Sequence, residues 1–138
     1  MPTLLNPYIN FKDNARQAME FYKSVFGGVL EMNTFKDFQQ SQNPDDDNKI
    51  MHSQLNTPNG MVLMASDAPA GMPLDSGSNI TISLSGDDNA ELRGYWEKLS
   101  NGGSVTLPLE VAPWGDAFGM VTDQFGIQWM VNIAGKKE

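Results

Sequence analysis

The chain has 138 residues, of which 40% are hydrophobic and 19% are charged, a balance typical of a folded domain and not of a disordered segment. It contains no cysteine, which excludes disulfides, thiolate metal ligands and a cysteine nucleophile. The net charge of −8 argues against nucleic acid as a partner, because phosphate binding needs Lys and Arg. The sequence shows neither a signal-peptide pattern nor an apolar run of the roughly 18 residues that a membrane span needs. We therefore expect a cytoplasmic protein that makes no membrane contact.

Two helices are predicted, one in each half of the chain. Their apolar residues recur at three- and four-residue spacing, which is typical of a helix with one buried face. The predicted helices cover residues 14–28, with Ala15, Ala18, Met19, Tyr22, Val25 and Phe26 buried, and residues 89–100, with Leu92, Tyr95, Trp96 and Leu99 buried. Asp13 or Asn14 is expected to cap the first helix, with Gln17 completing a capping box, and Asp88 with Glu91 to cap the second. A Gly-Gly pair is expected to end each helix.

Strand patterns flank both helices. The predicted strands cover residues 8–11, 29–35, 50–55 and 61–66 in the first half, and 79–85, 104–109, 118–122 and 127–133 in the second. The order β-α-β-β-β therefore occurs twice, which predicts two equivalent modules, 1–67 and 79–138, joined by a connector at 68–78. TPNG (57–60) and DQFG (123–126) are expected to be the turns that precede the last strand of each module. The predicted fold class is α+β.

Several segments of the sequence are similar to those of a known superfamily. They are NPYINF near the start, AMEFYKSVFGG, IMHSQL, MVLMASD and WGDAFGMVTDQFGIQWMVN. With the duplicated plan, they resemble the PhnB-like group of the vicinal oxygen chelate superfamily, which includes glyoxalase I, bleomycin-resistance proteins and extradiol dioxygenases. The resemblance implies one glyoxalase-like domain over residues 1–138, in which modules with pseudo-twofold symmetry enclose a ligand cavity between mixed, curved sheets. It also implies a homodimer.

The PhnB-like group is sometimes labelled 3-demethylubiquinone methyltransferase-like. Binding of S-adenosylmethionine in the usual way uses a glycine-rich loop between a strand and a helix of a doubly wound sheet. The sequence contains no such loop and no parallel α/β pattern, so we do not expect methyltransferase activity.

The resemblance also implies metal-ligand positions on the first and last strand of each module. The positions are Pro7 or Tyr8, Met64, Asn79 or Thr81, and Met130. The divalent metals of the superfamily prefer imidazole and carboxylate ligands to thioethers, so we predict no metal and no other cofactor. The alternative is a metal site rebuilt around His52 with Asp67 or Asp116.

Strand alternation and the turn near the C-terminus indicate which side chains face a ligand. The expected ligand-binding residues are Gln54, Met64, Asp67, Thr81, Trp114, Asp116, Gln128 and Met130. Trp114 beside Asp116 would suit a planar or cationic molecule through stacking and charge. His52 is the candidate general acid or base, because imidazole is the side chain that titrates near neutral pH. A histidine hydrogen-bonded to a neighbouring strand is the alternative, and Asp67 is a candidate to orient its ring.

Other residues are expected to have structural roles. Leu55 and Met51 are assigned to the core, and Asp123 to the start of the last turn. Gly119 is expected to permit a close approach of backbone. The acidic segment 37–49 is expected to be a solvated loop, with a functional lid as the alternative.

Three functions are compatible with these residues. The preferred one is a metal-free protein that binds a small aromatic or cationic molecule. The second is an enzyme of the lyase, isomerase or dioxygenase type, with His52 as acid–base catalyst or metal ligand. The third is a dimeric interaction module whose cavity is vestigial.

Overall fold

The computed structural model describes residues 6–37, 44–68 and 80–135, and the chain divides into two units, Met1–Ser76 and Gly77–Glu138. The first unit contains β1 (Tyr8–Phe11), α1 (Ala15–Phe26), β2 (Val29–Thr34), β3 (Ile50–Asn56) and β4 (Val62–Asp67). The second contains β5 (Ile82–Gly86), α2 (Asn89–Ser100), β6 (Ser104–Val111), β7 (Ala117–Thr122) and β8 (Gln128–Ile133). The predicted α+β class and the repeated β-α-β-β-β order are confirmed. Most of the predicted connector, together with Asn79, lies outside the described residues.

Each unit has a four-stranded mixed sheet of the same topology. The strand order is β1-β4-β3-β2 in the first and β5-β8-β7-β6 in the second. The first strand of each unit pairs in parallel with the last, and the other pairs are antiparallel. The predicted turns at 57–60 and 123–126 also match, since Gly60 and Gly126 have φ angles of 83° and 86°, values that glycine adopts without strain.

Helix α1 buries all six residues of its predicted apolar stripe, but its N-terminal cap differs from the prediction. Asn14 makes no side-chain capping hydrogen bond, so the proposed capping box with Gln17 is wrong. The Ala15 N–H instead donates to Oδ1 of Asp67, at 2.9 Å. Since Asp67 is the last residue of β4, the cap comes from a distant strand, which local sequence spacing does not reveal.

Helix α2 begins as predicted, because Oδ1 of Asp88 accepts a hydrogen bond from the Glu91 N–H at 3.0 Å. Of the predicted stripe, Leu92 and Leu99 are buried whereas Tyr95 and Trp96 are half-buried. A Cβ atom on Gly119 would lie 2.8 Å from the Trp96 ring. This confirms that Gly119 permits a close approach, here by both an aromatic ring and a neighbouring strand.

The strands alternate between a buried face and a partly exposed face. On β8, the buried side chains are Trp129, Val131 and Ile133, and the partly exposed ones are Gln128, Met130 and Asn132, as predicted. On β3, the assignment of Met51 to the core is wrong. The β2–β3 register shifts between His52 and Ile50, so that Ile50, which is 1% exposed, takes the core position.

The exposed end of the fifth strand also differs from the prediction. Strand β5 begins at Ile82 and not at residue 79. Ile80, which alternation placed with Ile82 and Leu84, is 79% exposed. The predicted start of this strand at residue 79 is therefore wrong, and Ile80 lies before the strand.

The described part of the acidic segment is held by an ion pair. Nζ of Lys49 lies 3.0 Å from carboxylate oxygens of both Asp13 and Asp46, and Asp46 is buried. The expectation of a solvated loop is therefore wrong for Asp46, although Asp45 is exposed. Residues 38–43 lie outside the described part of the chain.

The ion pairs of Lys49 are expected to stabilise the fold at neutral pH and to lose this effect at alkaline pH. Hydrogen bonds to Asp13 and then to Asp46 raise the pKa of Lys49 above its usual value of 10.5. A raised pKa in the folded state means that the stabilisation is full below the unfolded value and is lost as the pH rises through the folded value. We expect Lys49→Met to lower the urea midpoint at pH 7, and this deficit relative to the wild type to shrink above about pH 10.5. Paired urea titrations across this range, with Lys12→Met as the exposed control, test the prediction; a deficit that is constant with pH would contradict it.

Candidate functional site

The sheet of the first unit presents polar and aromatic side chains on the face opposite α1. We call this group the first-sheet face: Tyr8, Asn10, His52, Gln54, Met64 and Ser66. Met64 lies directly opposite Tyr8 on one side and Gln54 on the other. Because directly opposed residues share a face of a sheet, the register brings the predicted residues Gln54 and Met64 together.

Two aromatic rings stack on the first-sheet face. The ring centroids of Tyr8 and His52 are 6.0 Å apart, with 29° between their planes. The Tyr8 side chain comes from β1 and the His52 side chain from β3, so the contact passes over β4, which lies between them. Tyr8 is 45% exposed, so a planar molecule can approach the pair.

Hydrogen bonds hold the amide side chains around the stacked rings. The Ser66 hydroxyl donates to Oδ1 of Asn10 at 3.3 Å, and Nε2 of Gln54 donates to Oδ1 of Asn56 at 3.0 Å. The side-chain N–H groups of Asn10 and the side-chain carbonyl oxygen of Gln54 are therefore available to a ligand. The arrangement combines stacking with neutral hydrogen-bonding groups.

Asp67 does not join His52. It is 4% exposed, and its two oxygens accept hydrogen bonds from the N–H groups of Ala15 and Ile50, both at 2.9 Å. Alternation along β4 places Asp67 with the buried residues of that strand, on the face opposite Met64. The hypotheses that Asp67 orients the imidazole or shares a rebuilt metal site with it are therefore wrong, and its contacts give Asp67 a structural role.

The sheet of the second unit has a corresponding face, which we call the second-sheet face: Thr81, Ser83, Met120, Thr122, Gln128 and Met130. The Thr81 hydroxyl donates to Oε1 of Gln128 at 3.2 Å, which brings two predicted residues together. Met130 lies between Ser83 on β5 and Met120 on β7. Met120 was not among the predicted site residues, although the same alternation that gives Met130 would have found it on the neighbouring strand.

A cavity of about 220 Å³ lies within the second unit. Its lining residues are Thr106, Met120, Val121, Thr122, Gln128 and Trp129. The β6–β7 register is interrupted here, since Val105 pairs with Val121 and Leu107 pairs with Met120. Thr106 is therefore an extra residue, as in a β-bulge, which interrupts the ladder and opens space beside it.

Trp114 and Asp116 differ in how they are held. Trp114 is 65% exposed, and its ring contacts Phe118, with centroids 6.1 Å apart. Asp116 accepts hydrogen bonds from the Gly135 N–H at 2.9 Å and from Nδ2 of Asn132 at 3.2 Å. The carboxylate thus helps to fix the end of β8, whereas the indole remains open to solvent; a joint role for the two in ligand binding stays a prediction.

The metal of the superfamily does not fit the residues at the implied positions. Met64 is paired with Tyr8, and Thr81, which contacts Gln128, lies on the second-sheet face with Met130, so these positions offer thioethers and hydroxyls. These are poor ligands for the divalent metals that imidazole and carboxylate groups bind. Within residues 6–37, 44–68 and 80–135, no group of three or more His, Cys, Asp or Glu side chains is placed to hold a metal ion.

The repeated unit and its mixed sheet define a glyoxalase-like fold. A family model described as 3-demethylubiquinone-9 3-methyltransferase matches residues 4–132, and the chain belongs to this family, the PhnB-like group. The resemblance seen in the sequence is thus confirmed. Among the residues that the structure describes, neither helix has the length and hydropathy of a membrane span.

Solved structures agree with this assignment. Protein PA1353 from Pseudomonas aeruginosa is 38% identical, with a TM-score of 0.82 and coverage of 98% of this chain and 100% of that one. A PhnB protein from Bacillus cereus is 20% identical, with a TM-score of 0.74 and coverage of 96% and 100%. A glyoxylase/bleomycin resistance protein/dioxygenase domain from Frankia sp. EAN1pec is 13% identical, with a TM-score of 0.67 and coverage of 99% of both chains. The last two comparisons show the fold alone.

Proposed function

We propose that the protein binds a small planar aromatic molecule on the first-sheet face, independently of the superfamily's metal. The observation that carries the proposal is the stacked pair of Tyr8 and His52, whose centroids are 6.0 Å apart and whose tyrosine ring is 45% exposed. Aromatic pairs favour offset-stacked or edge-to-face neighbours. A planar ligand placed against the exposed ring would extend the stack.

The surrounding side chains support the same class of ligand. Met64, directly beside Tyr8, offers a polarizable thioether that adapts to aromatic groups. The first-sheet face contains no Lys or Arg, and the exposed Glu31 lies opposite Gln54 at its edge. With the net charge of −8, these features favour a neutral or cationic molecule over an anion.

Binding is a better account of these contacts than acid–base catalysis. A catalytic imidazole is commonly oriented by a carboxylate on its second nitrogen. Asp67, the carboxylate proposed for that role, is committed to two backbone N–H groups. We therefore assign His52 to stacking against the ligand and not to turnover.

Titrations with three planar compounds of different charge test the proposal: 9-aminoacridine as the cation, acridine as the neutral molecule and naphthalene-2-sulfonate as the anion. We expect saturable binding of the first two, measured by calorimetry and unchanged after treatment with EDTA. Tyr8→Leu should weaken binding about tenfold, since a lost stacking contact is worth about 0.5–1.5 kcal/mol beyond the buried area.

A matched variant controls for general loss of aromatic side chains. Phe21→Leu removes a half-buried aromatic ring from α1, away from the first-sheet face, and should leave both affinities unchanged. Equal weakening by Phe21→Leu and Tyr8→Leu would contradict the proposed site. Absence of saturable binding for both acridines would contradict the proposed function itself.

A further inference from the structure

We propose that the cavity within the second unit is a binding site, and that it takes a small uncharged ring compound bearing a hydrogen-bond acceptor. The cavity is lined by residues of β6, β7 and β8, and we call it the β6–β8 pocket. None of its lining residues belongs to the first-sheet face. The inference therefore stands independently of the function proposed above.

The pocket owes its shape to the break in the β6–β7 ladder. Thr106 stands between the paired residues Val105 and Leu107 and is opposed by no residue of its own on β7. Extra residues of this kind bend the strand and leave local backbone groups without ladder partners. The bulge thus supplies both the opening and the Thr106 side chain that lines it.

The lining has polar groups but no charge. Its polar side chains are those of Thr106, Thr122 and Gln128, and Met120 adds an apolar side chain. Val121 and Trp129 also border the pocket, but their side chains belong to the buried face of the sheet. An ionic ligand would lose hydration without meeting a counter-charge, which is costly. An uncharged molecule avoids this cost, so the lining selects against both anions and cations.

The hydrogen bonds around the pocket indicate which polar group the ligand carries. Oε1 of Gln128 already accepts from the Thr81 hydroxyl at 3.2 Å, which leaves the amide N–H groups of Gln128 as donors. The indole N–H of Trp129 donates to Asp123 at 2.8 Å, so it is not a donor to the ligand. A carbonyl oxygen on the ligand would therefore be recognised by Gln128, with the threonine hydroxyls beside it.

The volume limits the size of the ligand. About 220 Å³ is less than the roughly 300–1,000 Å³ of pockets that take drug-sized molecules. A single ring with one polar substituent matches this space, and Met120 provides an adaptable thioether surface for the ring. Benzamide has these properties, and benzoate and benzamidinium have nearly the same shape with opposite charges.

The test compares these three compounds by titration of the 138-residue chain, followed by NMR. We expect benzamide to cause saturable shifts in the amide signals of Thr106 and Gln128, and to bind at least tenfold more tightly than benzoate or benzamidinium. Gln128→Leu should weaken benzamide binding at least fivefold, whereas the same change at the exposed Gln17 of α1 should have no effect. Thr106→Val replaces an exposed side chain by one of equal shape, and should weaken binding two- to fivefold without unfolding the protein.

Three results would overturn the inference: equal affinity for the three compounds, benzamide binding that neither Gln128→Leu nor Thr106→Val alters, or shifts confined to the first unit. The Tyr8→Leu variant separates this site from the first-sheet face. It should lose affinity for acridine while it retains benzamide binding. Acridine binding thus tests the first-sheet face, and benzamide binding tests the β6–β8 pocket, so that either proposal can fail while the other holds.

Discussion

Replacing Asp67 by alanine is expected to lower the free energy of unfolding by about 2–6 kcal/mol, because each buried N–H group left without an acceptor costs about 1–3 kcal/mol. The carboxylate accepts from the N–H groups of Ala15 and Ile50, and both of these residues are at most 1% exposed. Water cannot replace the lost acceptor there without disrupting the packing. Asp67 also places a negative charge at the N-terminus of α1, which the helix dipole favours.

Urea unfolding followed by circular dichroism measures this loss for the Asp67 variant. Asp87→Ala, which removes an exposed aspartate before α2, is the matched control and should change stability by no more than about 0.5 kcal/mol. Similar midpoints for Asp67→Ala and the wild type would show that the carboxylate does not hold α1 and β3 to the end of β4. A large loss in both variants would indicate a general effect of charge instead.

Replacing Asp123 by alanine is expected to lower the free energy of unfolding by about 2–4 kcal/mol, because N–H donors in the last turn and in the core of the second unit would lose their acceptor. Oδ2 of Asp123 accepts from Nε1 of Trp129 at 2.8 Å, and Trp129 is 2% exposed, so its donor would be left unsatisfied at about 1–3 kcal/mol. Oδ1 accepts from the N–H groups of Phe125 and Ile127 at 2.8 and 3.1 Å. These turn groups are partly accessible, and together they add about 1 kcal/mol.

A double-mutant cycle isolates the contact between Asp123 and the indole. Trp129→Phe removes the donor and keeps an aromatic ring in the core, although it also leaves some volume unfilled. We expect Asp123→Ala to cost less in the Trp129→Phe background than in the wild type, by about 1–2 kcal/mol. Additive losses in urea unfolding would mean that the hydrogen bond contributes nothing beyond the turn.

The repeated fold was predictable from the sequence because its signals are local. The apolar stripe of α1, the cap of α2 and the alternation of β8 each depend on spacing within one element. What sequence spacing did not reveal were long-range contacts, such as the acceptor that Asp67 provides to α1. The register shift at Met51 is similar, since it becomes visible only once β2 and β3 are paired.

The candidate site was predictable only in part, and for the same reason. Alternation identified Gln54, Met64 and Met130 as members of the partly exposed faces. Tyr8 was considered only as a metal-ligand position, because its contact with His52 crosses an intervening strand. Thr106 lines the β6–β8 pocket because it is the extra residue of a bulge, and strict alternation along β6 does not predict a bulge.

The most direct test of ligand binding on the first-sheet face is a titration with acridine followed by the NMR signals of the Met64 methyl group and the His52 ring. We expect both to shift along one saturable curve, because ring currents of a stacked ligand act on groups that lie beside it. The Tyr8→Leu protein should show the same shifts only at about tenfold higher concentration. Saturable binding that leaves the signals of Met64 and His52 unmoved would contradict the account.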